Sequence, residues 1–237
     1  YQKGGVILHM LRKELGDEAF FAGLKKYLES YQFGTAEAHQ LRLSLEEVSG
    51  KDLNPFFDQW YYTNSHPKLN VSYIYNEIDK TVKISIKQTD KVFYFPLKID
   101  VYESGKRAEY NVEVTKQSQD FTFKYSQKPN LVNVNADHIL LCELKDESKT
   151  LENYIFQAYN APHFEDRREA ILKLAENQNN DEAYKALMKL MNDPYYELRI
   201  LVLQNIDLGR KLRKEAIKIV ETLATTDPKT KVQGEAI

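Results

Sequence analysis

The chain has 237 residues, of which 42% are apolar, 29% charged and 12% aromatic, as in a globular protein of two or three domains. Its 35 acidic and 33 basic residues nearly balance, and no dense run of lysine and arginine suggests nucleic acid as the main partner. No apolar run approaches the roughly 20 residues that cross a bilayer. The single cysteine, Cys142, excludes an internal disulfide. We therefore expect a globular chain with neither a nucleic-acid partner nor a membrane segment.

Residues 1–65 have the pattern of four helices. The first has six apolar residues among residues 6–15 and is predicted to end at Gly16, because glycine adopts the left-handed conformation without strain. The third is predicted to stop at Gly50, and the fourth to start near Pro55, which suits a first helical turn. The second helix is indicated by apolar residues at spacings of three and four: Phe20, Phe21, Leu24, Leu28 and Tyr31.

Residues 66–148 have the pattern of β-strands. Apolar and polar residues alternate in short runs, as expected for strands with one buried face. A further apolar segment at 139–141 also has a strand-like composition. We expect about seven antiparallel strands that form a small β-sandwich. The alternating runs are 69–75, 82–86, 93–101, 110–114 and 121–125.

The last part of the chain, residues 149–237, is predicted to be helical and repetitive. A proline recurs at intervals of 32 and 34 residues: Pro162, Pro194 and Pro228. Five residues after each proline stands a long polar side chain: Arg167, Arg199 and Gln233. The pattern is similar to HEAT or armadillo repeats, although those usually have a period of ~40 or more residues. We expect stacked helical hairpins, with the third repeat cut off at Ile237.

No self-sufficient active site is recognisable among the five histidines, since none forms an H-E-x-x-H pair. His138 and Cys142 are four residues apart, but a closed zinc site takes four ligands and no others stand near them. We therefore expect His138 at the edge of the sandwich and Cys142 as a buried thiol. His9, in the apolar first helix, is expected to be a packed core histidine. The chain itself is predicted to bind no metal and no cofactor.

The most specific pattern lies in the first 60 residues. It begins with Y-Q-K-G-G at residues 1–5 and ends with S-G-K-D-L-N-P-F-F-D-Q-W at residues 49–60. These blocks resemble the gluzincin aminopeptidases, the family of aminopeptidase N and the bifunctional leukotriene hydrolase. There, Y-E-K-G-[AG] lies downstream of the zinc helix, and S-G-x-D-L-x-x-F-F-x-Q-W precedes a β-sandwich. The order of helices, sandwich and helical repeats also matches, so the resemblance covers essentially the whole chain.

The resemblance implies three domains. Residues 1–65 would be the helical C-terminal half of a thermolysin-like catalytic domain, residues 66–148 an antiparallel β-sandwich, and residues 149–237 a truncated HEAT-like repeat domain. Both ends of the chain look like cuts. The zinc ligands, the catalytic glutamate and the amine-binding glutamates are therefore expected upstream. The full-length protein would use zinc and act on peptides, whereas its compartment, oligomeric state and side-chain preference do not follow from the sequence.

The resemblance also assigns one catalytic residue. In the family, the tyrosine of Y-E-K-G donates its phenolic hydrogen bond to the oxyanion that forms when zinc-bound water attacks the N-terminal peptide bond, and Tyr1 occupies that position. A phenol with a pKa of about 10 is protonated at pH 7 and suits this role. Gln2 replaces the usual glutamate, which changes a charge beside the phenol but not the phenol itself. Trp60 and the Phe56–Phe57 pair are expected to pack the helices against the sandwich.

Three interpretations of function stay open at this point. The chain is part of an active zinc aminopeptidase, or of a non-catalytic relative that binds proteins through its repeats, or it is a free-standing repeat adaptor. The adaptor would explain residues 151–237 but not the first 60. Tyr1 favours the enzyme, because a scaffold needs no phenol there, although an ordinary aromatic residue is the plainer interpretation of that position. In each case the fragment alone is expected to be inactive.

Overall fold

The computed structural model describes residues 2–209 and 213–237, which contain both helices and strands. The strands are β1 (Lys68–Asn76), β2 (Thr81–Gln88), β3 (Phe95–Glu103), β4 (Lys106–Val114), β5 (Ser118–Lys124), β6 (Leu131–Val134) and β7 (Glu143–Asp146). The helices are α1 (Gln2–Leu15), α2 (Asp17–Ser30), α3 (Ala38–Ser49), α4 (Asn54–Phe56), α5 (Leu151–Asn160), α6 (Phe164–Glu176), α7 (Asp181–Leu190), α8 (Tyr196–Asn205), α9 (Arg213–Thr226) and α10 (Thr230–Glu235). A π-helical turn, Phe57–Tyr61, continues α4. None of the described helices is long and apolar enough to cross a membrane.

The described residues divide into two compact units. The first comprises residues 2–98, 111–124 and 137–147, and it contains α1 to α4. The second comprises residues 99–110, 125–136, 148–209 and 213–237, and it contains α5 to α10. The mixed helical and sheet composition expected from the sequence is confirmed. The division into domains at residues 65 and 148 stays a prediction.

Two glycines end helices in the first unit, as the sequence predicted. Gly16 has a φ of 78° and donates its N–H to Arg12 O at 2.8 Å. Gly50 has a φ of 70° and donates to Glu46 O at 2.8 Å. Both residues are in the left-handed region that a side chain would disfavour, so the chain turns sharply at each point.

The helices of the first unit share a small apolar core. Its buried members are Leu11, Phe20, Leu45, Leu53 and Phe57. The predicted apolar face of α2 is only partly correct, because Phe21 and Leu28 are 53% and 65% exposed. Phe21 instead lies edge-on to Phe20 and beneath the guanidinium of Arg12, 5.0 Å from the ring centre.

A four-stranded sheet has the order β5-β2-β1-β7. β1 and β2 are antiparallel, with Val71 opposite Ile86 and Tyr73 opposite Ile84, and all four side chains are buried. The expectation of an entirely antiparallel arrangement is wrong for β7, which pairs parallel to β1. Parallel neighbours cannot be joined by a tight hairpin, and β7 is reached from β6 through the irregular segment 135–142.

A three-stranded sheet has the order β4-β3-β6. The predicted run at 93–101 forms a strand only from Phe95 onward, because Phe93 is fixed in a loop by its N–H, which donates to Gln88 Oε1 at 2.9 Å. The segment 139–141 is not a strand, and Leu141 N–H lies 3.4 Å from Met10 Sδ. That the two sheets form a sandwich stays a prediction.

Each of the three recurring prolines precedes a helix of the second unit by two residues, at the starts of α6, α8 and α10. A proline disfavours the helical conformation of the residue before it, so the preceding helix ends before the proline and a new helix begins after it. α6 packs against α5, α7 and α8, and α8 packs against α10. The core between them is made of small and branched side chains that include Ala170, Ile171, Leu174, Leu187 and Val202. The assignment of these helices to HEAT-like repeats stays a prediction.

The recurring arginines of the second unit pair with recurring aspartates. Arg167 pairs with Asp193, and Arg199 binds Asp227 through two hydrogen bonds of 2.8 and 2.7 Å. The side chains of Arg199 and Asp227 are only 8% and 2% exposed. Gln233, at the third arginine position, donates its amide to Asp227 O at 2.8 Å. Each aspartate stands directly before a proline, so the repeated dipeptide supplies an anion for the preceding arginine.

We predict that Asp227→Asn lowers the free energy of unfolding by about 3 kcal/mol at pH 7, because Arg199 is left buried without its anion. Burial by itself would raise the Asp227 pKa, but hydrogen bonds from Arg199 and from Lys229 N–H outweigh it, so the pKa is lowered. The folded-state pKa of Asp227 is lower than its unfolded-state pKa of about 3.9, so the ionised carboxylate stabilises the fold above about pH 3.9. This stabilisation is lost as the pH falls through the folded-state pKa. The gap between wild type and variant should therefore narrow below about pH 4.

Urea denaturation at several pH values measures this difference. Asp58→Asn is the matched control, because Asp58 is exposed in the first unit and should change the free energy of unfolding by less than about 0.5 kcal/mol. Equal effects of the two variants at pH 7 would contradict a structural role for the buried pair.

Candidate functional site

The predicted catalytic residue, Tyr1, lies outside the described residues, and the structure shows its sequence neighbours. Lys3 Nζ donates to Thr63 O at 2.7 Å, and Thr63 Oγ1 donates to Asp58 O at 3.0 Å. The first turn of α1 is therefore tied to the segment that follows the π-helical turn. This contact gives Lys3 a structural role.

Gly4 and Gly5, which stand three and four residues after Tyr1 in the sequence, face open space. A Cβ atom added to Gly4 or Gly5 would meet no atom of the described residues within 4 Å. Gly23 in α2 is the opposite case, because a Cβ there would lie 2.5 Å from Leu45 Cδ2 and 3.1 Å from Leu45 Cα. Close helix packing explains the glycine at position 23 but not the pair in α1. Glycine inside a helix is destabilising, so the pair carries a cost without a packing benefit among the described residues.

The block S-G-K-D-L-N-P-F-F-D-Q-W folds around its own apolar residues. Leu53, Phe57 and Trp60 are each no more than 3% exposed. The Glu46 carboxylate accepts Leu53 N–H at 2.8 Å and pairs with Arg42, which fixes the chain between α3 and α4.

The turn after Phe56 is π-helical, with Tyr62 N–H donating to Phe57 O at 2.9 Å. Such a wide turn is uncommon, and it directs both Phe57 and Trp60 inward.

Gln59 and Trp60 fix the loop that precedes β3. Gln59 Nε2 donates to Tyr94 O, and Tyr94 N–H donates to Gln59 Oε1, both at 2.8 Å. The Trp60 ring lies 5.4 Å from Phe93 and 6.5 Å from Phe95. The expected packing role of Trp60 is therefore present. The double hydrogen bond was not predicted, although the glutamine directly before tryptophan in the quoted block was an available signal.

The structure gives no support to a metal-binding role for His138 or Cys142. His138 is exposed in the irregular segment directly after the turn at residues 135–137, with a φ of 53°. Cys142 is half-buried, and burial, followed by the charge of Glu143, raises the pKa of its thiol to about 12. The thiol therefore stays protonated near neutral pH, whereas metals bind the thiolate. The expectation for His9 is wrong, because its side chain is exposed on α1.

The described residues contain no group of three His, Cys, Asp or Glu side chains that could hold a metal ion. A zinc site needs at least three protein ligands, so the described part of the chain does not fit a resident zinc ion by itself. That the chain alone binds no zinc stays a prediction.

Comparison with known protein families finds a match for the first part of the chain. Residues 1–60 match the Peptidase family M1 domain. This segment contains both blocks on which the predicted resemblance depended, and that resemblance to the aminopeptidases is confirmed.

The particular relatives are aminopeptidases. An aminopeptidase N of Lactococcus lactis subsp. lactis is 40% identical over 88 residues, which are 37% of this chain and 10% of that protein. Aminopeptidase N of strain IL1403 of the same subspecies is 32% identical over 169 residues, 65% of this chain and 20% of the relative. The chain thus spans about a tenth to a fifth of the curated relatives it matches. A crystal structure of Legionella pneumophila aminopeptidase A in complex with aspartic acid has the same fold, with a TM-score of 0.76 and 17% identity over 99% of this chain and 33% of that one.

We predict that Gly5→Ala raises the free energy of unfolding of the chain by about 0.5–1 kcal/mol, because the helix gains propensity without a clash. Gly23→Ala should lower it by about 1–3 kcal/mol, because the new methyl group must displace α3. Chemical denaturation of the two variants measures whether the free energy of unfolding rises or falls in each. A loss of stability in Gly5→Ala would mean that the space beside α1 is occupied.

We also predict that Gln59→Leu lowers the free energy of unfolding by about 1–2 kcal/mol, since both hydrogen bonds to Tyr94 are lost. Gln117→Leu is the control, because Gln117 is an exposed glutamine of the same unit. Amide hydrogen exchange supplies a local readout, and the Tyr94 amide should exchange faster only in Gln59→Leu. Unchanged protection of the Tyr94 amide would contradict the proposed role of Gln59 in fixing the loop before β3.

Proposed function

We propose that this chain is part of a zinc-dependent aminopeptidase of the M1 type, which removes N-terminal residues from peptides. The observation that supports this most strongly is the match of residues 1–60 to the peptidase domain, together with the fold that both sequence blocks adopt. The second block forms a rigid base of buried Leu53, Phe57 and Trp60, and Lys3 ties the first turn of α1 to it. A rigid support of this kind holds a neighbouring side chain in a fixed position, as catalysis requires.

Tyr1 is proposed to stabilise the negative charge that develops on the carbonyl oxygen of the scissile bond. Its phenol is a neutral donor at pH 7, and a preorganised donor contributes more to a charged transition state than to the neutral ground state. The open surface beside Gly4 and Gly5, which follow Tyr1 closely in sequence, leaves room for a substrate or for another part of the enzyme. The metal ligands are proposed to lie outside this chain.

Within the intact parent protein, Tyr1→Phe is expected to lower kcat by about 10²- to 10³-fold and to leave KM nearly unchanged, because only the transition-state hydrogen bond is lost. Steady-state kinetics on aminoacyl p-nitroanilides measures both constants. Tyr62→Phe is the matched control, since Tyr62 carries an exposed phenol in the first unit and its variant should retain wild-type kinetics. A Tyr1→Phe enzyme with wild-type kcat would remove Tyr1 from the mechanism.

The 237-residue chain by itself is expected to hold no stoichiometric zinc and to release no product from the same substrates, because the described residues supply no metal-ligand set. Elemental analysis of the purified chain and a chromogenic assay test both points. One zinc per chain after dialysis, or turnover above a buffer blank, would contradict the proposal that the metal site lies elsewhere. Stable complexes with other proteins in place of activity in the parent would favour the scaffold interpretation.

A further inference from the structure

The first unit contains a pocket of about 520 Å³, and every residue that lines it belongs to that unit. Five of the lining side chains are apolar and no more than 8% exposed, and we call them the apolar wall: Met10, Trp60, Phe95, Leu97 and Leu140. Ligand sites in proteins commonly measure 300–1,000 Å³ and are lined mainly by apolar and aromatic side chains. The pocket falls in that class by both its volume and its lining.

Contacts within the protein fix the shape of the pocket. Gln59 binds both the N–H and the C=O of Tyr94, each at 2.8 Å, and the Trp60 ring lies 5.4 Å from Phe93. These contacts are present without a ligand, so the walls do not have to be ordered when one enters. A preformed pocket therefore avoids a cost that would otherwise reduce affinity.

Aromatic rings are prominent in the lining. Trp60 and Phe95 belong to the apolar wall, and Phe56 and Tyr94 extend it. The ring centres of Phe56 and Trp60 are 6.5 Å apart and the rings are tilted by 44°, and Met10 adds a thioether. Aromatic rings attract one another edge-to-face or offset, and sulfur makes favourable contacts with ring edges. The lining therefore favours an aromatic ligand over an aliphatic one that buries the same area.

The charged groups of the lining favour neither sign of charge on a ligand. They are two lysines and two carboxylates, which balance at neutral pH: Lys13, Lys98, Glu14 and Asp137. A charged ligand therefore gains no net attraction from the lining. It also loses hydration when it leaves water for an apolar cavity, whereas a neutral ligand does not carry this cost.

We propose that this pocket binds a small neutral aromatic molecule, with its ring against Trp60 and the other aromatic side chains of the lining. The volume, the apolar wall and the balance of charges each support this class of ligand. The proposal adds a binding site to the first unit and uses no metal ion.

The chain offers its own reporter, because Trp60 is its single tryptophan and lines the pocket. Titration of the chain with 4-phenylbutan-1-ol should change the Trp60 fluorescence saturably. The anion 4-phenylbutyrate and the cation 4-phenylbutylamine have the same ring and the same chain length. Each should bind about fivefold more weakly than the alcohol or worse, because each must lose hydration around a charge.

Two substitutions test the site itself. Phe56→Leu removes a ring of the lining but keeps an apolar side chain, and it should weaken binding of the alcohol by about two- to tenfold. Tyr94→Leu should have an effect of similar size, and it should not unfold the chain because the Tyr94 side chain is 63% exposed. Phe21→Leu is the matched control, since Phe21 is an exposed phenylalanine of the same unit that does not line the pocket, and it should retain wild-type affinity.

Circular dichroism establishes which variants are folded. Wild-type affinity in a folded Phe56→Leu chain would overturn the site, and Tyr94→Leu decides in the same way if Phe56→Leu does not fold. Binding of the acid or of the amine as tightly as the alcohol would overturn the neutral class of ligand. Absence of any saturable change with 4-phenylbutan-1-ol in the wild-type chain would overturn the proposal as a whole.

Discussion

The two hydrogen bonds between Gln59 and Tyr94 are the constraint on which the arrangement of the first unit depends. They join a π-helical turn to the loop before β3, two segments that are 35 residues apart in sequence. Trp60 can then bury its ring on Phe93 and Phe95. The same turn places Phe57 in the helical core. One short block of sequence therefore contributes both to the helical core and to the contact with the strand segment.

Features set by local chemistry could be predicted from the sequence. Gly16 and Gly50 end helices because a left-handed residue is needed there, and alternation of apolar residues identifies β1 and β2. The prolines before α6, α8 and α10 act locally in the same way, through the conformation that they impose on the preceding chain.

Features set by distant partners could not be predicted in the same way. The parallel pairing of β7 depends on the path of the whole sheet, and the loop position of Phe93 depends on Gln88 and Trp60. The exposed position of His9 shows that an apolar neighbourhood in sequence does not determine which face of a helix is covered. Of the candidate site, the sequence supplied the motif but not its support by Lys3 and Thr63, because that contact spans 60 residues.

The second unit shows how a repeated sequence feature acquires a physical meaning. Arg167 and Arg199 each pair with the aspartate of the next Asp-Pro dipeptide, so successive helices are joined by buried ions as well as by apolar packing. A buried arginine and its carboxylate depend on each other, because either one alone would bear the full cost of desolvation. Gln233 keeps a hydrogen bond to Asp227 at the third position without adding another buried charge.

The central claim is that Tyr1 acts as a neutral hydrogen-bond donor in the parent enzyme. Replacing Tyr1 by a fluorinated tyrosine lowers the pKa of the phenol while preserving its shape, and the pH dependence of kcat/KM then reports whether the proton is needed. The predicted result is that the alkaline limb of the profile moves to lower pH together with the phenol pKa, because the ionised phenol cannot donate. An alkaline limb that stays in place would contradict the claim.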